Sequence, residues 1–249
     1  MAKPDRLADK VAIVTGAAGG IGRAICLRLA KEGAAVLVTG PHLERAEAVA
    51  AELLREPGSR AAATICDVRD PASVAAAVRQ AEETWGGLDL VVNNAGVMTF
   101  KPLEEISDEE WRAVLDIDLL GAVRLTREAF RAMRPGGAIV NVVSVHAFET
   151  TPLVAPYAAA KAALLSLTRS AAIEGKPKGL RANAVVPGAV DTAMLRDNPN
   201  LKSGAERLDP ADVGCPEDVA SAVAFLCSDD AAFVTGAALA VDGGRLARL

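Results

Sequence analysis

Residues 11–25 read VAIVTGAAGGIGRAI, and this stretch decides the fold. The apolar run 11–15 predicts a strand, and Ile21 opens a segment whose apolar residues recur at helical spacing. At the junction, Gly16, Gly19 and Gly22 permit a tight turn that lets the backbone approach a phosphate closely. The start of the following helix offers such an anion free N–H groups and a partial positive charge. This order predicts a dinucleotide-binding unit, with a purely structural turn as the alternative.

Short apolar runs alternate with longer helical patterns along the chain. The runs are continuously apolar, which is typical of strands buried on both faces of a parallel sheet. Strand–helix–strand repetition predicts right-handed crossovers. We therefore expect an α/β protein: a single Rossmann-like domain over residues 1–249, with a doubly wound, seven-stranded parallel sheet and helices on both faces. The expected strands are 11–15, 35–39, 62–66, 88–92, 138–143, 181–186 and 237–241.

One long helix and one long loop stand out in this pattern. Ser107 and Glu110 have the spacing of a capping box and open a helix predicted to reach about Arg134. Residues 187–214 form the longest irregular stretch, and they leave the carboxyl end of a strand, where open α/β sheets bind ligands. We interpret this loop as a substrate lid, with a plain surface excursion as the alternative. Other helices are expected from about Ile21, over 43–56, 71–85 and 153–173, and after Pro216.

The composition argues against several classes of function. The 249 residues carry a formal net charge of −5 and no basic run, so nucleic acid is not expected as a partner. No stretch of about 18 uncharged apolar residues occurs, so no membrane span is expected. The first six residues lack an apolar signal core, and the four cysteines show no CxxC spacing, so we expect a cytoplasmic protein with free thiols. Two histidines and scattered cysteines do not make a metal site, and no metal is expected.

Six short motifs follow one another over nearly the whole chain. The glycine turn has the TGxxxGxG spacing, NNAG at 93–96 follows the fourth expected strand, and YAAAK at 157–161 matches YxxxK. Ser144 lies 13 residues before Tyr157, PG at 187–188 is followed by Thr192, and VDGG stands at 241–244. In this order, the six motifs resemble the short-chain dehydrogenase/reductase family. The resemblance implies a nicotinamide-dependent oxidoreductase that moves a hydride between the cofactor and a carbonyl or secondary alcohol.

Three side chains carry the implied chemistry. Tyr157 and Lys161 stand four residues apart and so share one helix face. A free phenol has a pKa of about 10, and a neighbouring ammonium lowers it. Tyr157 is then expected to give a proton to a carbonyl oxygen or to take one from an alcohol. The resemblance implies this role, with Lys161 on the nicotinamide ribose and Ser144 hydrogen-bonded to the substrate oxygen.

One position departs from the family's pattern. The family usually has asparagine in a vNlxG pattern, and here IDLLG at 117–121 places Asp118 at that point. In the family, the main-chain carbonyl of that residue helps to hold a water near the lysine. Asp118 keeps the carbonyl, but a carboxylate near Lys161 would favour the ammonium and weaken its effect on Tyr157. We expect a retained but retuned proton relay, with impaired catalysis as the alternative.

The choice between NADP and NAD rests on the end of the second strand. NAD sites often carry an acid there and NADP sites an arginine nearby, yet Gly40 and Pro41 occupy these positions. His42 and Arg45 are close enough in sequence to meet a 2′-phosphate, and without a repelling carboxylate we favour NADP over NAD. Asp67 and Val68 resemble the family's adenine-contacting pair. The alternative is that Asp67 caps the helix that begins at Pro71. The other cofactor contacts that the resemblance implies are Gly16, Gly19, Ile21, Gly22, Gly40, Asn94, Ala95, Gly96, Tyr157, Lys161, Pro187, Gly188, Val190 and Thr192.

The substrate is expected to be a small carbonyl or alcohol compound in a largely apolar pocket, and its identity stays open. The family tends to form tetramers, so a homotetramer or homodimer is expected. A non-catalytic dinucleotide-binding or redox-sensing protein on the same fold is the main alternative. An epimerase or dehydratase is a third, although such relatives usually carry an extra substrate domain. The expected substrate contacts are Ser144, His146, Phe148, Tyr157 and Met194.

Overall fold

A computed structural model describes residues 5–204 and 207–247, and its strands form one parallel sheet. The strand order is β3-β2-β1-β4-β5-β6-β7, and every neighbouring pair is parallel. This confirms the predicted fold class. Residues 1–4, 205–206 and 248–249 of the predicted domain lie outside the described residues. The strands are β1 (Val11–Val14), β2 (Ala35–Gly40), β3 (Arg60–Ile65), β4 (Leu88–Asn93), β5 (Met133–Val142), β6 (Arg181–Pro187) and β7 (Ala238–Val241).

Helices cover both faces of the sheet, as a doubly wound topology requires. On one face, α1, α2 and α9 pack on Ala12, Val36 and Val140; on the other, α3 and α5 pack on Ile13 and Leu37. Among the described residues, no helix combines the length and apolar character that crossing a membrane needs. The helices are α1 (Gly20–Lys31), α2 (Leu43–Leu53), α3 (Pro71–Trp85), α4 (Asp108–Leu115), α5 (Gly121–Ala132), α6 (Ala155–Gly175), α7 (Ala193–Arg196), α8 (Pro199–Ser203) and α9 (Pro216–Cys227).

The helix predicted over 107–134 is two helices in the structure. Its capping box is present, since Ser107 Oγ accepts from the Glu110 N–H and Glu110 Oε2 accepts from the Ser107 N–H. Between α4 and α5, however, Asp116–Leu120 form a π turn. Such a turn places an extra residue between successive backbone hydrogen bonds, and hydrophobic spacing does not reveal it. The π turn carries Asp118.

Strand β5 also begins earlier than predicted. It starts at Met133, which pairs with Leu88, and the register shifts before Ala138 pairs with Leu90. Pro135 ends the helix but is compatible with an extended chain at the sheet's rim, where no ladder bond from its nitrogen is needed.

The 187–214 loop is more ordered than the expected irregular stretch, because it contains α7 and α8. Its two ends meet, since Val190 bridges to Gly214. Asn200 is buried, and its Nδ2 donates to the carbonyl oxygen of Pro152 at 3.0 Å. The loop is therefore closed on itself and fastened to the segment that precedes α6.

Candidate active site

The glycine turn follows β1 as predicted and is shaped by close backbone contacts. Gly16 has φ +60°, a conformation that favours glycine, and a Cβ on it would lie 2.8 Å from the Cα of Ala95. A Cβ on Gly22 would overlap the carbonyl oxygen of Gly16. Gly19 is extended, and a Cβ there would meet nothing within 4 Å. The turn therefore leaves an open side at the start of α1, which fits the phosphates of a dinucleotide.

A cavity of about 500 Å³ lies where β1, β4, β5 and β6 end. This is the edge of a doubly wound sheet where ligands bind. The cavity brings together most of the residues predicted from the motifs. They are Gly16, Gly19, Ile21, Gly22, Asn94, Ala95, Gly96, Ser144, His146, Tyr157, Lys161, Pro187, Gly188, Val190, Thr192 and Met194.

Four residues predicted to bind cofactor or substrate do not line this cavity. Gly40 ends β2. Val68 is buried in the core between the sheet and helices α3 and α5. Asp67 forms an ion pair with Arg69 at 2.7 Å. Phe148 is 53% exposed to solvent. Their predicted binding roles stay predictions.

The helix-cap alternative for Asp67 is wrong. Asp70 caps α3 instead, because its Oδ1 accepts from the Ala72 N–H at 2.9 Å. The Asp67 carboxylate is turned to Arg69, which holds its pKa below the ordinary value.

Residues outside the motifs also line the cavity. Arg45, on the first turn of α2, lines the cavity, while His42 does not. Met98 lies two residues beyond NNAG, and Leu195 and Asn198 belong to the 187–214 loop. Arg245, which follows β7, is a further lining residue. The sequence points to Arg45 as a phosphate contact and to the 187–214 loop as a lid, whereas no local pattern identifies Met98 or Arg245.

Tyr157, Lys161 and Ser144 converge on one wall of the cavity. Tyr157 and Lys161 lie on the first two turns of α6 and are 8% and 3% exposed. The Lys161 Nζ is 5.4 Å from the centroid of the Tyr157 ring and donates to the carbonyl oxygen of Val142 at 3.2 Å. Ser144 follows β5, and its Oγ accepts from the His146 N–H at 3.2 Å. The His146 ring stands edge-on to that of Tyr157, with centroids 5.7 Å apart.

Asp118 lies behind this group and is 1% exposed. Its Oδ1 accepts from the Val97 N–H at 2.8 Å, and its Oδ2 is 3.3 Å from the Lys161 Nζ. That approach lacks the alignment of a hydrogen bond, and among the described residues Oδ2 has no hydrogen-bond donor. The departure from the family's asparagine therefore places a buried carboxylate beside the lysine.

Lys161 lowers the pKa of Tyr157 as expected, but other groups outweigh its effect. Burial raises the pKa of the phenol, Lys161 lowers it, Asp118 raises it again, and Ser144 lowers it, so that the pKa lies above its ordinary value. Burial alone would lower the pKa of Lys161, but its interactions with Asp118 and Tyr157 raise it above the ordinary value. Lys161 therefore stays protonated. Its positive charge acts on Asp118 as well as on Tyr157.

A buried polar ladder supports the site from beneath. The Asn93 Nδ2 donates to the Asn141 Oδ1 at 2.8 Å, and the Asn141 Nδ2 donates to the Thr168 Oγ1 at 2.8 Å. The Thr168 hydroxyl donates in turn to the carbonyl oxygen of Leu164 at 2.9 Å. The ladder links β4 and β5 to α6 and so fixes the helix that carries Tyr157.

Within residues 5–204 and 207–247, no group of histidine, cysteine and acidic side chains has the arrangement of a metal site.

Known proteins resemble this chain over almost its full length. A family model described as enoyl-(acyl carrier protein) reductase matches residues 16–245. A cis-4-hydroxycyclohexanecarboxylate dehydrogenase of Sinomonas cyclohexanicum is 44% identical, over 98% of this chain and 99% of the relative. A 3beta-hydroxysteroid dehydrogenase 1 of Eggerthella lenta is 38% identical over 96% and 95%. A cyclohexanol dehydrogenase of an Acinetobacter species is 39% identical over 94% of each chain.

Solved structures of dehydrogenases also resemble this chain. A dehydrogenase/reductase of Sinorhizobium meliloti superimposes with a TM-score of 0.90 at 40% identity, over 96% of this chain and 95% of that one. A short chain dehydrogenase of Burkholderia cenocepacia in complex with NADP gives 0.89 at 36% identity, over 96% and 98%.

The fold and the relatives define an NAD(P)-dependent oxidoreductase that acts on CH–OH and C=O groups. The chain belongs to the short-chain dehydrogenase/reductase family, which confirms the resemblance drawn from the motifs.

Proposed function

We propose that Tyr157 is the general acid and base of a reaction that interconverts a secondary alcohol and a ketone. The observation that carries this proposal is the convergence of Tyr157, Lys161 and Ser144 on the cavity that the glycine turn also borders. In reduction, the Tyr157 hydroxyl gives its proton to the carbonyl oxygen; in oxidation, the phenolate takes the alcohol proton. Ser144 donates a hydrogen bond to the same oxygen as charge develops on it.

The residues of the cavity fit a nicotinamide dinucleotide. The glycine turn and the start of α1 suit the diphosphate, and Lys161 suits the hydroxyls of a ribose. Asn94, Pro187, Gly188 and Thr192 also line this cavity. When bound, this cofactor supplies the hydride in reduction and accepts it in oxidation.

For the substrate we propose a cyclic secondary alcohol or its ketone. Apolar side chains line the cavity, among them Met98, Val145, Val190 and Met194, and they suit an apolar ring. The three relatives named above act, by their names, on a hydroxycyclohexanecarboxylate, a hydroxysteroid and cyclohexanol.

The test combines thermal melts with a substrate panel. At 100 times its dissociation constant, a nucleotide should add about 2.7 kcal/mol to the stability of the folded state. Tyr157→Phe should keep the nucleotide-dependent melt and lose turnover of cyclohexanols and cyclohexanones by at least about 100-fold. If Tyr157→Phe turns over normally, the assigned acid–base role is wrong. A redox sensor without turnover would bind nucleotide but oxidise or reduce no member of the panel.

We further propose a preference for NADP. No carboxylate stands at Gly40 to repel a 2′-phosphate, and Arg45 lines the cavity with a cationic head. A Cβ on Gly40 would meet nothing within 4 Å, so Gly40→Asp fits the fold. That variant should shift the ratio of NADH to NADPH affinity at least about 10-fold toward NADH, and Arg45→Ala should weaken NADPH alone. Equal affinities of the wild type for both nucleotides would contradict this preference.

We also propose a cytoplasmic homotetramer or homodimer. The edge strand β7 is largely exposed, and Phe233 and Ile173 are exposed apolar side chains. The four cysteines are free, as is typical of a reducing compartment. Light scattering coupled to size-exclusion chromatography should give a dimer or tetramer that Phe233→Ser weakens; a monomeric wild type would contradict it.

A further inference from the structure

We propose that Asp118 is a positioning residue for proton transfer: Asp118 and Tyr157 share the ammonium of Lys161, so that one of the two acids is ionised at a time. With the charge on Asp118, the phenol stays protonated and is poised to give its proton to a carbonyl oxygen. This inference rests on the proposed role of Tyr157, which it deepens by assigning what sets the phenol's proton affinity.

The first support is the geometry around Asp118. The Oδ2 of Asp118 lies 3.3 Å from the Lys161 Nζ, and both side chains are almost completely buried. The carboxylate approaches so closely because residue 96 is glycine: a Cβ there would lie 2.8 Å from Oδ2 and 3.2 Å from Nζ. Oδ1 is fixed by the Val97 N–H, whereas Oδ2 faces the ammonium without a hydrogen-bond donor among the described residues.

The second support is the position of Lys161 between the two acids. Its Nζ is 5.4 Å from the Tyr157 ring centroid, and the carbonyl oxygen of Val142 adds a neutral contact at 3.2 Å. Asp118, Lys161 and Tyr157 are each less than 10% exposed. Their charges therefore interact with less screening than at a protein surface. A second anion beside one ammonium leaves an uncompensated buried charge, which is costly.

The surrounding groups leave this pairing intact. On the same π turn, Asp116 is turned away and binds Arg124 at 2.6 Å. On the other side of the phenol, the His146 ring stands edge-on and the Ser144 hydroxyl lowers the phenol's pKa. Asp118 itself has a pKa raised by burial and opposed by Lys161, so its proton affinity moves toward that of the phenol. Such coupled acids titrate as a pair.

The chain's composition makes a direct test possible. Tyr157 is the only tyrosine in the 249 residues, so the ultraviolet absorbance of phenolate reports this side chain without any catalysis. Asp118→Asn keeps the shape of the side chain and removes its charge. In the folded variant, the pKa of Tyr157 should fall by about one unit or more relative to wild type.

Asp116→Asn is the matched control, because it removes a carboxylate two residues away that does not face Lys161. It should leave the pKa of Tyr157 unchanged, and Tyr157→Phe should abolish the titration. Circular dichroism establishes folding, and Asp118→Ser replaces Asp118→Asn if that variant does not fold. An unchanged or higher pKa of Tyr157 in a folded Asp118 variant would overturn the proposal.

Kinetics separate this inference from the proposed function. For alcohol oxidation, the rise of kcat/KM with pH should move to lower pH in Asp118→Asn by the same amount as the absorbance titration. If the titration moves and the pH profile does not, the coupling stands and the catalytic role of Tyr157 fails. If neither moves, the coupling itself is wrong.

Discussion

Asn94 and Thr15 are joined by two hydrogen bonds that tie the end of β4 to the end of β1. The Asn94 Nδ2 donates to the carbonyl oxygen of Thr15 at 3.0 Å, and the Thr15 Oγ1 accepts from the Asn94 N–H at 3.1 Å. The same Nδ2 donates to the carbonyl oxygen of Gly16 at 3.0 Å. Asn94 therefore acts on the nucleotide site by holding the glycine turn, in addition to lining the cavity.

Replacing Asn94 by alanine should loosen that turn. The carbonyl oxygens of Thr15 and Gly16 lose their side-chain donor, which should cost about 1–3 kcal/mol of unfolding free energy. Urea unfolding measures this loss, and nucleotide titration should show weaker binding in the folded variant. Thr15→Ser keeps the hydroxyl and serves as the control. Unchanged nucleotide affinity in Asn94→Ala would contradict a role in shaping the turn.

Two glycines of the turn should respond differently to alanine. In Gly22→Ala, the new Cβ would overlap the Gly16 carbonyl oxygen and lie 2.6 Å from the Asn94 Nδ2, so fold stability and nucleotide binding should both fall. In Gly19→Ala, the Cβ meets no protein atom within 4 Å and φ is extended, so stability should change by less than about 1 kcal/mol. Only nucleotide affinity should then fall. Thermal melts with and without nucleotide separate the two effects, and equal destabilisation would contradict this account.

Local pattern and long-range packing explain which parts of this site could be predicted. Tyr157 and Lys161 are four residues apart on one helix, and the glycine turn lies between a strand and a helix, so both features follow from sequence spacing. The π turn at 116–120 could not be predicted, because α4 and α5 have continuous helical patterns on either side of it. The raised pKa of Tyr157 was also missed, since it depends on burial and on where the Asp118 carboxylate points.

The buried ladder through Asn141 likewise has no signature in the sequence. Breaking it by substitution of Asn141 should cause a large loss of stability. Asn141 is fully buried, and Asn141→Ala leaves the Asn93 amide and the Thr168 hydroxyl without this partner. Unfolding free energy should fall by about 2–5 kcal/mol, since a cavity adds to the lost hydrogen bonds. Asn200→Ala, in the 187–214 loop, is a control that removes one hydrogen bond outside the ladder. Equal effects of the two substitutions on urea unfolding would contradict a special role for the ladder.

The exposure of each cysteine predicts which thiols react in the native chain. Cys215 is exposed, while Cys26, Cys66 and Cys227 are buried, so an aromatic disulfide reagent should modify one thiol in the native chain and four after unfolding. Cys215→Ser should remove the fast reaction. A native chain that exposes two or more thiols at once would contradict the burial described here.

Alkaline pH should weaken the fold through the same buried thiols. Burial raises the pKa of Cys66 from 9.0 to about 12. A group with a raised folded pKa contributes its full stability below the unfolded pKa, and this contribution is lost as pH rises toward the folded pKa. Between pH 9 and about 12, Cys66 should therefore lower the unfolding free energy by about 1.4 kcal/mol per pH unit. Cys66→Ala lacks this ionisation, so its stability deficit relative to wild type, measured in urea, should shrink as pH rises through that range. A deficit that stays constant would mean that the Cys66 thiol ionises equally in the folded and unfolded chain.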